Sequence, residues 1–212
     1  MGRRRAKKQS DLRRGGSRKS GDLVLIVCEG EKTEPNYLRE YLADLGISKK
    51  KAEIEVTGDC GSDPLSVVNL AISKFQLKNY DHIFCVIDID KHSKFENAVK
   101  KIDNHKWTSG RKDSKFKATT YKAIVSIPCF EYWLLLHYKD TSKSFHGNGQ
   151  DISPCKECIK ELKTFIVEYE KGSSEIYSIT KDKIEDAISR SRSIVSRKTE
   201  LNGGQVLGIT YF

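Results

Sequence analysis

Three acidic residues directly follow two apolar segments of the chain, and their types and spacing are suited to chemistry. The first segment, residues 23–28, ends at Glu29; the second, residues 83–87, ends at Asp88, and Asp90 follows two residues later. Apolar segments without polar alternation are typical of strands buried on both faces of a parallel sheet. Because ligands bind beyond the carboxyl ends of such strands, we expect the three carboxylates to share one site.

The chemistry that such carboxylates favour is the binding of a hard divalent cation. Mg²⁺ and Mn²⁺ prefer oxygen ligands, whereas zinc usually recruits Cys or His. We predict that Glu29, Asp88 and Asp90 bind one or two such ions, which would neutralise a phosphodiester and activate water for in-line attack. An alternative role for Glu29 is that of general acid or base, which requires neighbouring carboxylates to raise its pKa.

A fourth carboxylate, Glu131, lies near the start of an apolar segment, residues 128–137. That segment predicts a helix buried on most of its surface. A carboxylate in the first turn is either a partner of the helix dipole or an inward-facing functional acid. By the same reasoning we interpret Glu34 as a dipole partner rather than a ligand, and His137 as a core histidine rather than a catalytic one.

Positive charge is concentrated at the start of the chain. The 212 residues carry a net charge of +9, and residues 1–20 contain nine Arg or Lys and one Asp. Eight of the nine net charges therefore belong to this segment, whose lack of apolar side chains predicts a flexible basic arm. The composition is compatible both with an arm that contacts nucleic-acid phosphates and with a solubilising tail.

A second group of basic residues lies after the acidic motif. Lys91 and His92 follow it directly, and a polar loop over residues 105–117 contains Arg111 and Lys112. An acidic site that acts on a polyanion needs nearby cations to hold its substrate. We therefore predict that these four side chains contact nucleic acid.

The alternation of strands and helices predicts the fold that positions these residues. From residue 23 to residue 127 the pattern is that of an α/β protein with a mostly parallel central sheet, right-handed crossovers and helices on both faces. The predicted strands cover residues 23–28, 54–56, 82–87 and 123–127.

Capping residues predict where the helices begin. Thr33, with Pro35 in the first turn, is predicted to cap the helix that ends at Gly46. Asp63 or Ser62 is predicted to cap the next helix, with Pro64 at its first position. Further helices are predicted over residues 91–104 and 128–137, from residue 153, and from residue 180.

We predict three regions: the basic arm 1–20, an α/β core 21–140, and a helical extension 141–212 packed on the core. Residues 201–212 show no recognisable pattern. With no apolar segment of about 18 residues and no signal-peptide pattern, the sequence predicts a cytoplasmic protein without membrane association. Both a monomer and a homo-oligomer fit the sequence.

The six cysteines are predicted to be reduced thiols. Cys28, Cys85 and Cys129 stand in apolar segments, where free cysteine behaves as a small hydrophobic residue. Cys155 and Cys158 form a single C-x-x-C motif. Because a structural zinc needs four ligands and the sequence contains no second pair, we do not expect zinc there.

The acidic motifs together resemble a known family. Glu29-Gly30 and Asp88-Ile89-Asp90 resemble the TOPRIM domain of topoisomerases, primases and overcoming-lysogenization-defect nucleases. With residues 28–37 and 128–137 added, the chain is similar to the RloB-like (AbiLii-like) family. The resemblance implies a TOPRIM-like fold, Mg²⁺-dependent cleavage of nucleic acid, and a role in prokaryotic antiphage defence beside an ATPase encoded nearby.

The resemblance also implies roles for individual residues. Carried over by motif, Glu29 would be the acid or base, and Asp88 and Asp90 the metal ligands, with Glu131 as a further catalytic candidate. The leading hypothesis is therefore a Mg²⁺- or Mn²⁺-dependent nuclease. One alternative is a non-catalytic regulatory or scaffold subunit that binds an ATPase partner through a degenerate TOPRIM surface, and another is a nucleotidyltransferase.

Overall fold

A computed structural model describes residues 21–61, 63–89, 95–107, 119–148, 151–201 and 209–211 of the chain. Within these residues an all-parallel sheet forms in the order β2-β1-β3-β4-β5, which confirms the predicted α/β class. Four strands of six or seven residues make up most of the sheet, and a three-residue strand lies at one edge. The strands are β1 (Asp22–Cys28), β2 (Ala52–Thr57), β3 (His82–Asp88), β4 (Thr120–Ser126) and β5 (Ile209–Tyr211).

Helices connect the strands and continue after β4. The first three are α1 (Thr33–Asp44), α2 (Pro64–Leu77) and α3 (Phe95–Asn104). The later ones are α4 (Glu131–Leu136), α5 (Pro154–Leu162), α6 (Ile176–Thr180) and α7 (Ile184–Leu201), with a short 3₁₀ segment, Lys181–Lys183, between the last two.

The order of the strands reverses between β1 and β3. From β1 the chain moves outward to β2, then returns past β1 to form β3 on the other side. Cys28 at the end of β1 is paired with Val86 of β3, and the Glu29 N–H donates to the Val86 carbonyl at 3.1 Å. The carboxyl ends of β1 and β3 therefore lie side by side at a topological switch point, where α/β proteins bind ligands.

Alternate residues of the strands pack into two separate apolar cores. Leu25 and Val27 pack beneath α2 and α3, whereas Ile26 and Cys28 face α1 and the helices that follow β4. Because successive side chains of a strand point to opposite faces, both faces of the sheet are covered. This double burial explains why the strand sequences are apolar without alternation.

The helices of the C-terminal part share the core on the α1 side of the sheet. Leu134 of α4, Leu162 of α5, Ile176 of α6 and Ala187 of α7 are each fully or almost fully buried in one cluster. These helices therefore share one core with α1, while the division of the chain into three regions stays a prediction. The edge strand β5 lies in residues 201–212, where we predicted no element, since three residues are too few to show a pattern.

Several predicted helix starts can be compared with the structure; the helix predicted from residue 180, for example, begins at Ile184. Asp63 caps α2 as expected, because its carboxylate accepts from the N–H groups of Leu65 and Ser66. The prediction for Thr33 was wrong: it is the first residue of α1, and Lys32 occupies the cap position without a side-chain hydrogen bond. The Thr33 hydroxyl is used elsewhere, since it accepts from the backbone N–H of Gly172 at 2.8 Å.

Several predicted features lie outside the described residues: the basic arm, the first residues of the predicted helix 91–104, and residues 108–117 of the predicted loop 105–117. Within the described part of the chain, no helix is both long enough and apolar enough to cross a bilayer.

We expect Leu162→Ala to lower the free energy of unfolding by about 2–5 kcal/mol, because it removes a fully buried side chain from the shared core. Leu77→Ala is the matched control: Leu77 is 89% exposed, so its loss should change stability by no more than about 0.5 kcal/mol. Urea unfolding followed by both fluorescence and circular dichroism checks the result. Two separate transitions in the wild-type protein would contradict a core shared between the sheet and the later helices.

Candidate functional site

A cavity of about 540 Å³ lies at the carboxyl ends of β1 and β3. Its walls come from the β1–α1 loop, the end of β3, the start of α4, α5, and the loop that contains Lys171 and Gly172. The charged residues that line it are Glu29, Glu31, Lys32, Glu34, Asp88, Glu131 and Lys171. The cavity therefore contains more carboxylates than cations, which makes it a candidate site for a positively charged ligand.

Glu29 and Asp88 are joined by a hydrogen bond across the ends of the two central strands. The backbone N–H of Asp88 donates to Oε2 of Glu29 at 2.9 Å. Glu29 is buried and Asp88 is half-buried. The structure thus brings two of the three carboxylates that follow the apolar segments, Glu29 and Asp88, to one cavity. We expected this because they lie at the ends of neighbouring strands.

The acids of the cavity repel one another. Burial raises the pKa of Asp88 well above its usual range, and the carboxylates of Glu34, Glu29 and Glu131 raise it further. Burial is also the main cause that raises the pKa of Glu34 to about 7, with Glu131 and Glu29 adding to it and Lys171 opposing it. Near neutral pH the cavity therefore holds protons that a divalent cation would displace.

Two glycines allow the loops around the cavity to approach closely. A Cβ atom at Gly30 would overlap the carboxylate of Glu34, and one at Gly58 would overlap the backbone carbonyl of Gly30. Glycine at these positions lets the β1–α1 loop pack directly against the loop that follows β2. The Glu-Gly pair of the first motif is thus explained by packing at this point.

Glu131 has its own set of partners inside the cavity. Its Oε1 accepts from the Tyr169 hydroxyl at 2.8 Å and lies 3.3 Å from Nζ of Lys171, while its Oε2 accepts from the Cys155 thiol at 3.7 Å. Only 1% of Glu131 is exposed, so it belongs to the interior rather than the helix surface. Burial alone would lower the pKa of Lys171, but its interactions with Glu131, Cys155 and Cys129 together raise it.

Two thiols complete this part of the cavity. The ligand atoms of Cys129, Glu131 and Cys155 all lie within 4.8 Å of one another, and all three residues are buried. The pKa of the Cys129 thiol is raised by burial, and that of Cys155 first by its interaction with Cys129 and then by burial. Within the part of the chain that the structure describes, this is the group of three side chains whose geometry suits a metal ion.

The predicted site residues have different outcomes. Asp90 and the four predicted nucleic-acid contacts, Lys91, His92, Arg111 and Lys112, lie outside the described residues. Glu29, Asp88 and Glu131 all line one cavity.

His137 is confirmed as a core histidine. It is 1% exposed, its Nε2 is 3.1 Å from the Tyr37 hydroxyl, and its Nδ1 is 2.9 Å from the Trp133 carbonyl. Burial is the main cause that lowers its pKa to about 4, so the ring is neutral at physiological pH.

Sequence reasoning missed three residues that line the cavity, Glu34, Lys171 and Cys155, and also Tyr169, which contacts Glu131. Glu34 does lie in the first turn of α1, as a dipole partner would, but it also faces the cavity; its place in the same loop as Glu29 was the available signal. Tyr169, Lys171 and Cys155 come from far along the chain, and no local pattern links them to the strand ends.

The fold and the cavity define a class: α/β proteins with a parallel sheet and an acidic cavity at its switch point. A family model described as RloB-like protein matches residues 24–205, and the chain belongs to the RloB-like family. The match confirms the resemblance that the sequence motifs indicated. Searches of curated proteins and of solved structures gave no significant match.

We expect the stability of the protein to depend on pH through Glu34. Below pH 4.5 its carboxyl is protonated in both the folded and the unfolded chain, but between about 4.5 and 7 the unfolded chain ionises first. The free energy of unfolding should therefore fall as pH rises, by about 3 kcal/mol from this one residue. Glu34→Gln should remove that fall and make the protein more stable than wild type at pH 8.

Urea unfolding at pH 4.5 and pH 8 measures the effect. Glu31→Gln is the control, because Glu31 is an exposed carboxylate in the same loop. If wild type and Glu34→Gln lose stability in parallel as the pH is raised, the Glu34 carboxyl is not the group that titrates.

Proposed function

We propose that the protein is a metal-dependent nuclease of the TOPRIM type that hydrolyses phosphodiester bonds of DNA or RNA, and that it acts in prokaryotic antiphage defence with an ATPase partner. The observation that carries the proposal is the hydrogen bond between Glu29 and Asp88 at the ends of adjacent parallel strands. Both residues line a cavity in which burial and neighbouring acids raise the pKa of Asp88. Membership of the RloB-like family supports the same proposal.

The donor atoms of the cavity suit a hard divalent cation. Glu29, Glu34 and Asp88 offer carboxylate oxygens, which Mg²⁺ and Mn²⁺ prefer. A divalent ion would also relieve the mutual repulsion that raises the pKa values of Asp88 and Glu34. We infer that Asp88, with Asp90, would hold Mg²⁺ or Mn²⁺, which would supply charge neutralisation of the phosphodiester and an activated water.

The chain itself would supply orientation and proton transfer. The Asp88 N–H fixes the Glu29 carboxylate relative to the end of β3, so that Glu29 is held in one position before a substrate arrives. A carboxylate held within reach of an attacking water can act as a general base. In the proposed reaction Glu29 is the base that takes the proton of the attacking water.

Two cations at the cavity are suited to bind a phosphate. Lys32 lies just before α1, and Lys171 lies in the loop whose Gly172 donates a hydrogen bond to Thr33 at the start of that helix. The Lys171 side chain is 56% exposed while its ammonium stays near Glu131, so it reaches both the solvent and the interior. These lysines would position a nucleic-acid backbone, together with the basic residues predicted at 91–92 and 111–112.

We expect Asp88→Asn to reduce Mn²⁺-dependent cleavage of nucleic acid by at least about 100-fold, because it removes a charged ligand and keeps the size of the side chain. Cleavage of labelled single- and double-stranded DNA and RNA by the purified protein, with and without its ATPase partner, measures the loss. Asp59→Asn is the matched control, since Asp59 is an exposed carboxylate in the loop after the neighbouring strand.

Cleavage that persists unchanged in Asp88→Asn would refute the nuclease assignment. If neither protein cleaves any substrate and both bind the ATPase equally, the non-catalytic subunit becomes the better hypothesis.

We expect Mn²⁺ to raise the melting temperature of the wild-type protein more at pH 8 than at pH 6. Carboxylates must lose their protons to bind a metal, and those of the cavity hold protons near neutral pH. Thermal unfolding with a series of Mn²⁺ concentrations measures the shift, and Asp88→Asn should reduce it at both pH values. An equal shift in wild type and Asp88→Asn would place the Mn²⁺ at another site.

A further inference from the structure

The cavity contains a second group of ligand atoms that differs in chemistry from the strand-end carboxylates. Cys129, just before α4, and Cys155, in the first turn of α5, bring their thiols next to Glu131. The C-x-x-C motif therefore meets a third cysteine that the sequence alone could not place beside it. Cys158 of that motif also interacts with Cys129, from the core side of the group.

The spacing of these atoms fits a tetrahedral zinc ion. With Zn–S of about 2.3 Å and Zn–O of about 2.0–2.2 Å, a sulfur and an oxygen on the same ion are roughly 3.5–3.7 Å apart. Sγ of Cys155 and Oε2 of Glu131 are 3.7 Å apart. The third ligand atom, Sγ of Cys129, lies within 4.8 Å of both.

The two oxygens of Glu131 have different partners. This arrangement suits a carboxylate that binds a metal through one oxygen and accepts hydrogen bonds through the other. Oε1 is held by the Tyr169 hydroxyl and by Lys171, while Oε2 faces the Cys155 thiol. Outer hydrogen bonds of this kind orient the ligands of a metal site. Lys171 also lies 3.4 Å from Sγ of Cys155, so one ammonium contacts two of the three ligands.

The charges of the group also balance around a divalent ion. Two thiolates and one carboxylate carry three negative charges, of which a divalent ion neutralises two and Lys171 the third. A buried group with no net charge avoids the desolvation cost of an unpaired ion. Because Cys129, Glu131 and Cys155 all line the cavity, a fourth coordination position would face its interior.

We propose that Cys129, Cys155 and Glu131 form a binding site for Zn²⁺ or a similar thiophilic divalent cation, distinct from the carboxylate site of Glu29 and Asp88. The three protein ligands leave one position open to the cavity, which is the arrangement of zinc sites that bind a water or a substrate atom. Tyr169 and Lys171 are positioning residues that hold the Glu131 carboxylate. The site does not depend on the proposed nuclease activity.

The experiment measures metal content and cobalt binding. Protein purified under reducing conditions without chelator should contain one zinc per chain by elemental analysis. The metal-free protein should bind Co²⁺ with a thiolate-to-cobalt charge-transfer absorption, which reports sulfur ligands directly. Cys155→Ser and Glu131→Gln should each lose the zinc, and Tyr169→Phe should weaken zinc binding by about 10–100-fold, because it removes an outer hydrogen bond.

Two variants serve as controls. Cys60→Ser changes a half-buried thiol whose hydrogen bond to the Cys28 carbonyl a serine can replace, and it should keep the zinc. Asp88→Asn should also keep the zinc while it loses Mn²⁺-dependent cleavage, so that failure of the zinc proposal and failure of the nuclease proposal are distinguishable.

Three results would overturn the proposal: wild-type protein that binds neither zinc nor Co²⁺, a Co²⁺ complex without thiolate absorption, or a Cys129–Cys155 disulfide in place of the metal. Circular dichroism of each variant verifies that it is folded. If Cys155→Ser does not fold, the wild-type cobalt spectrum and Glu131→Gln still test the proposal.

Discussion

The hydrogen bond from the Asp88 N–H to Glu29 ties together the ends of the two central strands, and the geometry of the cavity depends on it. A parallel sheet brings β1 and β3 into register, and the Glu29 carboxylate links the residue after β1 to the last residue of β3. This bond, with the one from the Glu29 N–H to the Val86 carbonyl, keeps the loop after β1 next to β3. Glu34 and the start of α1 belong to the same segment, so both bonds help to place them near Asp88.

Grouping acids in a buried cavity opposes folding, since burial and the neighbouring carboxylates raise the proton affinity of Asp88 and Glu34. The surrounding structure compensates for this. Two apolar cores enclose the sheet, and Glu131, the most deeply buried acid, is paired with Lys171 and Tyr169. Such an arrangement is expected of a site that binds a cation, because the positive charge of the bound ion would reduce the repulsion between the carboxylates.

The parallel sheet and two of the site's acids could be predicted because they depend on short-range patterns. Unbroken apolar segments located β1 and β3 to within one residue, and the acids directly after them had to lie at neighbouring strand ends. Thr33 was misassigned as a cap because its partner, Gly172, is distant in sequence. The meeting of Cys129 with Cys155 likewise depends on how α4 packs against α5, and no spacing in the sequence encodes that contact.

The hydrogen bond between Gly172 and Thr33 joins residues 139 positions apart, and with Lys171 it closes one wall of the cavity. Contacts of such long sequence separation form late in folding, because the entropy of a large loop must be lost before they stabilise the chain. On a ribosome, the strand ends are synthesised long before the residues that enclose them. A nascent or truncated chain would therefore present its acids in an open groove. The cavity would be enclosed only after the chain has been synthesised as far as residue 172.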